Sequence, residues 1–146
     1  MKVESNLILL VEDDLAHAEI VRRNLSDSPV ATRLKHVVDG QEALDYLYRR
    51  HEFSALALSP RPGLILLDLR LPKVDGLDVL KTIKADEGLF RIPVVMLTTS
   101  NSKADVDMAY AFHANSYLVK PADFVRFGAL IEEVAYYWLA WNQQPV

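Results

Sequence analysis

Short aliphatic runs alternate, along nearly the whole chain, with longer segments whose apolar residues recur at helical spacing. Strands covered on both faces read as near-continuous Leu, Ile and Val, so this alternation signals a βα repeat with a parallel sheet between two helical layers. Five such pairs are present. The spacing predicts strands over residues 7–11, 33–38, 64–67, 94–97 and 116–119, and helices over 15–26, 40–52, 76–86, 103–113 and 123–142. Ser28-Pro29, Asp39-Gly40, Ser59-Pro60-Arg61-Pro62-Gly63, Asp75-Gly76 and Lys120-Pro121 fall at the boundaries, where turn residues and proline-restricted backbone interrupt regular structure. Residues 53–63 read as the longest loop, stiffened by its prolines.

With 146 residues, 51% of them hydrophobic, the chain can bury one sizeable core, so residues 1–146 are expected to form a single domain with no separate output domain. Sixteen Lys and Arg against twenty Asp and Glu leave a net charge of -4, which gives no global positive field to hold nucleic acid or an anionic membrane. The absence of cysteine removes disulfide and thiolate-zinc readings and suits a reducing compartment, so the cytoplasm is expected. No secretory signal opens the chain, and its longest apolar stretch, residues 134–141, is about half the ~20 residues a membrane helix needs.

In a doubly wound sheet the functional crevice lies outside the carboxyl ends of the strands. The first strand runs into Glu12-Asp13-Asp14 and the third ends in Asp68, so acidic groups meet at one mouth. Two such charges about 4 Å apart repel by roughly 4 kcal/mol at an effective dielectric near 20, a conflict that protonation or a cation removes. Hard oxygen donors select Mg²⁺ or Ca²⁺, and a site of few carboxylates, waters and a phosphate favours Mg²⁺. Asp14 by itself reads as the cap of the first helix. Asp68 has no helix immediately behind it to cap, which favours a chemical role for it together with Asp13.

Thr98 and Lys120 end the fourth and fifth strands and bring a hydroxyl and an ammonium to the same mouth. Taken singly, each reads as an ordinary strand-end residue. Together with the acids they compose a phosphoryl site: an aspartate oxygen to attack, cations to offset charge on the transferred oxygens, and a hydroxyl to donate to the product. Tyr117, on its own, reads as a sandwiched edge-strand aromatic. His17, His36, His51 and His113 are scattered without ligand spacing and receive no site.

The segment Asp68-Leu69-Arg70-Leu71-Pro72-Lys73-Val74-Asp75-Gly76, with Leu10-Val11-Glu12-Asp13-Asp14 and Tyr117-Leu118-Val119-Lys120-Pro121, resembles the receiver domain of two-component response regulators from about residue 7 to 142. That resemblance implies a flavodoxin-like (βα)5 sheet in the order 2-1-3-4-5 and a signalling protein rather than an enzyme. It implies Asp68 as phosphoacceptor, Glu12 and Asp13 as the acidic pair, and Mg²⁺ or Mn²⁺ held with Asp68 and the Arg70 backbone carbonyl. It further implies Thr98 as switch hydroxyl, Lys120 as the charge-offsetting lysine, Tyr117 as a rotating switch aromatic, and a cis Lys120–Pro121 peptide. The loop after the second helix, Asn115-Ser116-Tyr117 and the aromatic last helix are most similar to stand-alone regulators of cyanobacterial-type phytochrome histidine kinases, so a sensor kinase of that class is the expected partner. The pair is Glu-Asp where many members carry Asp-Asp, and Thr99 stands where a smaller residue is common.

On the last helix, Phe124, Phe127, Ile131, Val134 and Trp138 form one apolar stripe, while Val125, Ala129, Tyr136, Leu139 and Ala140 cover much of the opposite side, interrupted by Arg126, Glu132 and Glu133. Each large apolar side chain left wet forgoes roughly 1.5–3 kcal/mol, and an extended patch marks a partner surface. A homodimer through the fourth helix, fifth strand and fifth helix is expected. Three other readings compete. A magnesium-dependent aspartyl-phosphate phosphatase of the haloacid-dehalogenase type expects a second acid two residues past the nucleophile, where this chain has Arg70. A flavodoxin needs a phosphate loop where Glu12-Asp13-Asp14 stands. A phosphorylation-independent dimeric adaptor would share the fold and bind constitutively.

Overall fold

The computed structural model describes residues 3–55 and 59–145. Five parallel strands, β1 (Val3–Val11), β2 (Arg33–Val37), β3 (Arg61–Leu67), β4 (Val94–Thr98) and β5 (Ser116–Val119), form one sheet in the order β2-β1-β3-β4-β5. Helices α1 (Leu15–Asp27), α2 (Gly40–Tyr48), α3 (Gly76–Ala85), α4 (Lys103–Ala111) and α5 (Phe124–Ala135) connect and follow them. The expected doubly wound (βα)5 order is the observed one.

The aliphatic runs split by strand pleat into two cores. Leu9, Val11, Ile65, Leu67, Val94 and Met96 face α2, α3 and α4, where Tyr46, Leu47, Leu80 and Ile83 close over them. Their neighbours Ile8, Leu10, Leu64, Leu66, Val95 and Leu97 face α1 and α5, meeting Val21, Leu25, Phe127 and Ile131. Side chains buried on both faces of one strand explain why the sequence shows runs rather than alternation.

Four boundaries differ from expectation by more than two residues: β1 begins at Val3 rather than at residue 7, and three others follow. Residues 61–63, read as loop, belong to β3. Pro62 is tolerated because this outer end of β3 pairs only with β1, opposite Glu4, where the register then shifts before Ile8, while pairing with β4 begins at Ile65. The buried Arg61 guanidinium donates to the Leu47 carbonyl, tying the strand start to α2. Second, α2 stops at Tyr48 because Arg49 adopts a left-handed conformation (φ 56°), and a 3-10 turn, His51–Phe53, follows. Phe53 then packs edge-on against Tyr46 with ring centroids 5.3 Å apart, and the Tyr46 hydroxyl donates to the Pro60 carbonyl at 2.7 Å. Third, the last helix is α-helical only to Ala135 and continues as a π-helical segment, Tyr136–Trp141, closed by the Asn142 amide on the Tyr137 carbonyl at 2.7 Å.

The α5 stripe is shorter than its sequence suggests. Phe127, Ile131 and Val134 are buried and Trp138 packs at the edge of the second core, but Phe124 is 60% exposed and joins neither core. Among the described residues, no helix is long and apolar enough to cross a membrane.

Candidate functional site

Parallel register delivers the site. Val11 pairs with Leu67, so Glu12 and Asp68 leave adjacent strands at the same level, and Thr98 pairs with Val119, which puts Lys120 one step beyond. Backbone bonds continue past the ladders: Glu12 N–H donates to Val37 O at 3.0 Å, Asp68 N–H to Val11 O at 3.1 Å and Lys120 N–H to Thr98 O at 2.7 Å. The carboxyl rim of the sheet therefore fixes the backbone of four site residues before any side chain is placed.

Carboxylate oxygens of Glu12, Asp13 and Asp68 lie within 4.8 Å of one another, with Glu12 buried, Asp68 half-buried and Asp13 exposed. These are hard donors gathered without a metal-selective nitrogen or sulfur, a set that fits a small divalent cation open to solvent on the Asp13 side. Asp14 has the capping role read from the sequence: its side chain accepts from Ala16 N–H at 2.9 Å and His17 N–H at 3.1 Å.

Lys120 enters from the opposite side, its side chain only 3% exposed. Its ammonium donates to Glu12 Oε1 at 2.5 Å and to Asp68 Oδ2 at 3.3 Å. Burial pushes the Glu12 carboxyl up to about 7, with the hydrogen bond from Lys120 opposing that rise and the Asp68 charge adding to it. Removing one partner of such a buried pair leaves the other charge uncompensated, at a cost of about 3–5 kcal/mol. Glu12 is further fixed by its Oε2, which accepts from Asp14 N–H at 3.1 Å, and by its carbonyl, 2.7 Å from His36 Nε2.

The loop after Asp68 is shaped by close packing. Asp68 Oδ1 accepts from Leu69 N–H at 2.7 Å, and Gly76 N–H donates to Leu69 O at 2.9 Å. A Cβ on Gly76 would lie 2.1 Å from the Asp68 carbonyl oxygen, so only glycine lets the start of α3 touch the strand end. Arg70 turns its side chain outward, where Nη2 reaches both oxygens of Asp105 at 2.9 and 3.1 Å. Its side chain therefore takes no place among the carboxylates.

Thr98 is buried at the end of β4, its hydroxyl accepting from Ser100 N–H at 3.3 Å, whereas Thr99 is exposed. Tyr117 is half-buried on β5 and donates its hydroxyl proton to the Ser100 carbonyl at 2.9 Å. The Lys120–Pro121 peptide corrects the expectation of a cis bond: every peptide bond among the described residues is trans, the isomer that X–Pro bonds favour by about 0.5–1 kcal/mol.

Two residues escaped sequence reasoning. His17 lies with Nδ1 3.0 Å from Lys120 Nζ, and Asp105 accepts from Ser100 Oγ at 2.5 Å. The position of His17, on the first turn of the helix that follows Asp13, was the available signal; ligand spacing was the wrong filter. Of the expected partner surface, Val125 is 81% exposed, Tyr136, Ala129 and Ala140 are exposed, and Leu139 is half-buried against the second core. Tyr137 and Trp141 extend the exposed apolar area beyond the expected set.

Residues 8–132 match the response regulator receiver domain family. The chain belongs to that family, whose members are phosphoacceptor signalling proteins of two-component systems. It is 49% identical over 139 residues to the probable methanogenesis regulatory protein FilR2 of Methanothrix harundinacea, covering 95% of this chain and 87% of that one. It is 42% identical over 142 residues to response regulator Rcp1 of Synechocystis, covering 95% of each. The crystal structure of Mn²⁺-bound Rcp1 superposes with a TM-score of 0.90 at 40% identity, over 97% of this chain and 99% of that chain. That of the phosphorylated cyanobacterial phytochrome response regulator RcpA gives 0.91 at 39% identity, with the same coverage.

Proposed function

We propose that Asp68 is the phosphoacceptor, receiving a phosphoryl group from a sensor histidine kinase. The observation that carries this reading is the convergence of Lys120 Nζ on Asp68 Oδ2 at 3.3 Å beside the carboxylates of Glu12 and Asp13. Asp13, Asp68 and the Arg70 backbone carbonyl hold Mg²⁺ or Mn²⁺, with Glu12 completing the acidic pair. The bound cation supplies charge neutralisation for phosphoryl oxygens. Lys120 offsets the same charge from the buried side, and the Thr98 hydroxyl donates to the product. The phosphoryl group replaces one negative charge with about two and adds acceptor oxygens, which draws Thr98 inward. Tyr117 then turns, changing the α4, β5 and α5 surface. The protein works as a signalling switch in the cytoplasm, and its only chemistry is on its own aspartate.

Likeness to Rcp1 and RcpA supports a phytochrome as the cognate kinase. Phosphotransfer profiling against purified phytochrome and other histidine kinases tests that assignment. Exposed Val125, Ala129, Tyr136 and Ala140 support a homodimer through the α4, β5 and α5 face. Sedimentation at several concentrations tests it, a monomer in both phosphorylation states counting against it. The central test is Asp68→Asn: it abolishes acid-labile phosphate incorporation from acetyl phosphate, and retained labelling at full stoichiometry moves the acceptor elsewhere.

A further inference from the structure

The Lys120 ammonium has three protons and three acceptors: Glu12 Oε1 at 2.5 Å, His17 Nδ1 at 3.0 Å and Asp68 Oδ2 at 3.3 Å. The first and third belong to the acidic cluster. The second is an imidazole nitrogen from α1, nearer the ammonium than Asp68 is and 3.6 Å from Asp14 Oδ2. An ammonium can donate only to an unprotonated imidazole nitrogen, so this contact requires the His17 proton to sit on Nε2. The ring cannot easily leave. The His17 backbone N–H donates to the capping Asp14 carboxylate at 3.1 Å, which fixes the start of α1, and the imidazole itself meets the buried Phe127 ring of α5 edge-on, centroids 5.6 Å apart at 64°.

We infer that His17 is a positioning residue for phosphorylation, a neutral acceptor that draws the Lys120 ammonium off Asp68 and so leaves the aspartate oxygen free to react. This rests on Asp68 being the phosphoacceptor. With a small donor such as acetyl phosphate, an Asp68 oxygen forms the new bond to phosphorus while the bond from phosphorus to the acetyl oxygen breaks. Acetate leaves with that electron pair, and no proton moves. An ammonium resting fully on Asp68 would occupy the electron pair that must attack. The Lys120 side chain is 3% exposed and its bond to Glu12 is already short at 2.5 Å, so without His17 the freed N–H turns to Asp68, whose 3.3 Å contact is the one left to tighten.

Two substitutions separate an acceptor from a packing role. His17→Leu keeps bulk against Phe127 and removes the acceptor; His17→Asn keeps an acceptor oxygen near the Nδ1 position and loses the ring. Phosphorylation by acetyl phosphate is followed in Mg²⁺ over a range of donor concentration. In His17→Leu the maximal rate falls about tenfold, the lower end of what one charge-assisted hydrogen bond is worth, with the half-saturating donor concentration unchanged. In His17→Asn it stays within about twofold of wild type. A wild-type rate in the Leu protein, or an Asn protein as slow as Leu, overturns the inference. Should the Leu protein not fold, ¹⁵N NMR of the wild-type imidazole at pH 8 decides: Nε2–H is expected, and Nδ1–H overturns it. Labelling retained by Asp68→Asn sinks the phosphoacceptor reading instead.

Discussion

Tyr117 on β5 is tied to Ser100, the second residue past β4, through its hydroxyl on the Ser100 carbonyl at 2.9 Å. The same serine's Oγ donates to Asp105 at 2.5 Å, and Asp105 clamps Arg70 from the loop that follows Asp68. One chain of polar contacts thus joins the aromatic of the proposed switch to the first turn of α4 and to the loop beside the proposed acceptor. The hydrogen bond from Ser100, and after it that from Arg70, holds the Asp105 carboxyl below the ordinary carboxylate range, so the clamp stays charged at neutral pH.

Tyr117→Phe removes one partly buried hydrogen bond and nothing else from this chain. Stability should fall by about 0.5–1.5 kcal/mol, read from the urea midpoint at unchanged slope. The rate of Asp68 phosphorylation by acetyl phosphate should not change, since the phenol contacts none of Glu12, Asp68 or Lys120 through a hydrogen bond.

Gly76→Ala places a methyl 2.1 Å from the Asp68 carbonyl oxygen and 2.7 Å from that of Leu69. Backbone must shift to admit it. A loss of roughly 1–3 kcal/mol is expected, typical of overpacking, together with slower phosphorylation, because the displaced atoms carry Asp68 itself. Thermal melting and acetyl phosphate labelling check the two effects on one preparation.

Lys84, far from the rim, donates to Phe90 O and Ile92 O at 3.0 Å each and to Asn115 Oδ1 at 2.9 Å, pinning the turn after α3 to the start of β5. Lys84→Met should cost about 1.5–3 kcal/mol through lost bonds to a charged donor. Burial pushes the Lys84 ammonium down to about 8, below the 10.5 of an exposed lysine. Between those values the unfolded chain holds more protons than the folded one, so this group's contribution makes stability rise with pH across the window. Denaturation from pH 7 to 10.5 should show a steeper rise in wild type than in the Met protein.

Asp13→Asn leaves the buried Glu12–Lys120 pair intact and replaces the exposed carboxylate of the cluster by a neutral amide. Wild-type protein should gain about 2.7 kcal/mol of stability at a Mg²⁺ concentration 100 times the dissociation constant. The Asn protein should show a smaller gain at that concentration, since one negative charge of the site is gone. Equal stabilisation of both proteins by Mg²⁺ would remove Asp13 from the proposed metal site.

The count of strands and helices and the strand-end positions of Asp13, Asp68, Thr98 and Lys120 were legible because each is a property of chain order, whereas the strand order came only from the family resemblance. Aliphatic runs mark strands buried on both faces, and the residue after a parallel strand must emerge at the carboxyl rim whatever the partner. Helix ends were less legible. Arg49 gives no sequence warning of its left-handed backbone, and Pro62 reads as a loop until one sees that its outer strand end lacks a β4 neighbour.

The sequence by itself determined the (βα)5 layout and which residues stand at the rim, since hydrophobic periodicity and local backbone preference act between near neighbours in the chain. Tertiary structure alone decided that Lys120 sits between Glu12, Asp68 and His17, and that Arg70 swings out to Asp105 rather than toward the acids. Those contacts join residues 35 to 108 positions apart, and their energies depend on burial and ångström-scale distance, neither of which exists before the two cores close the sheet between them.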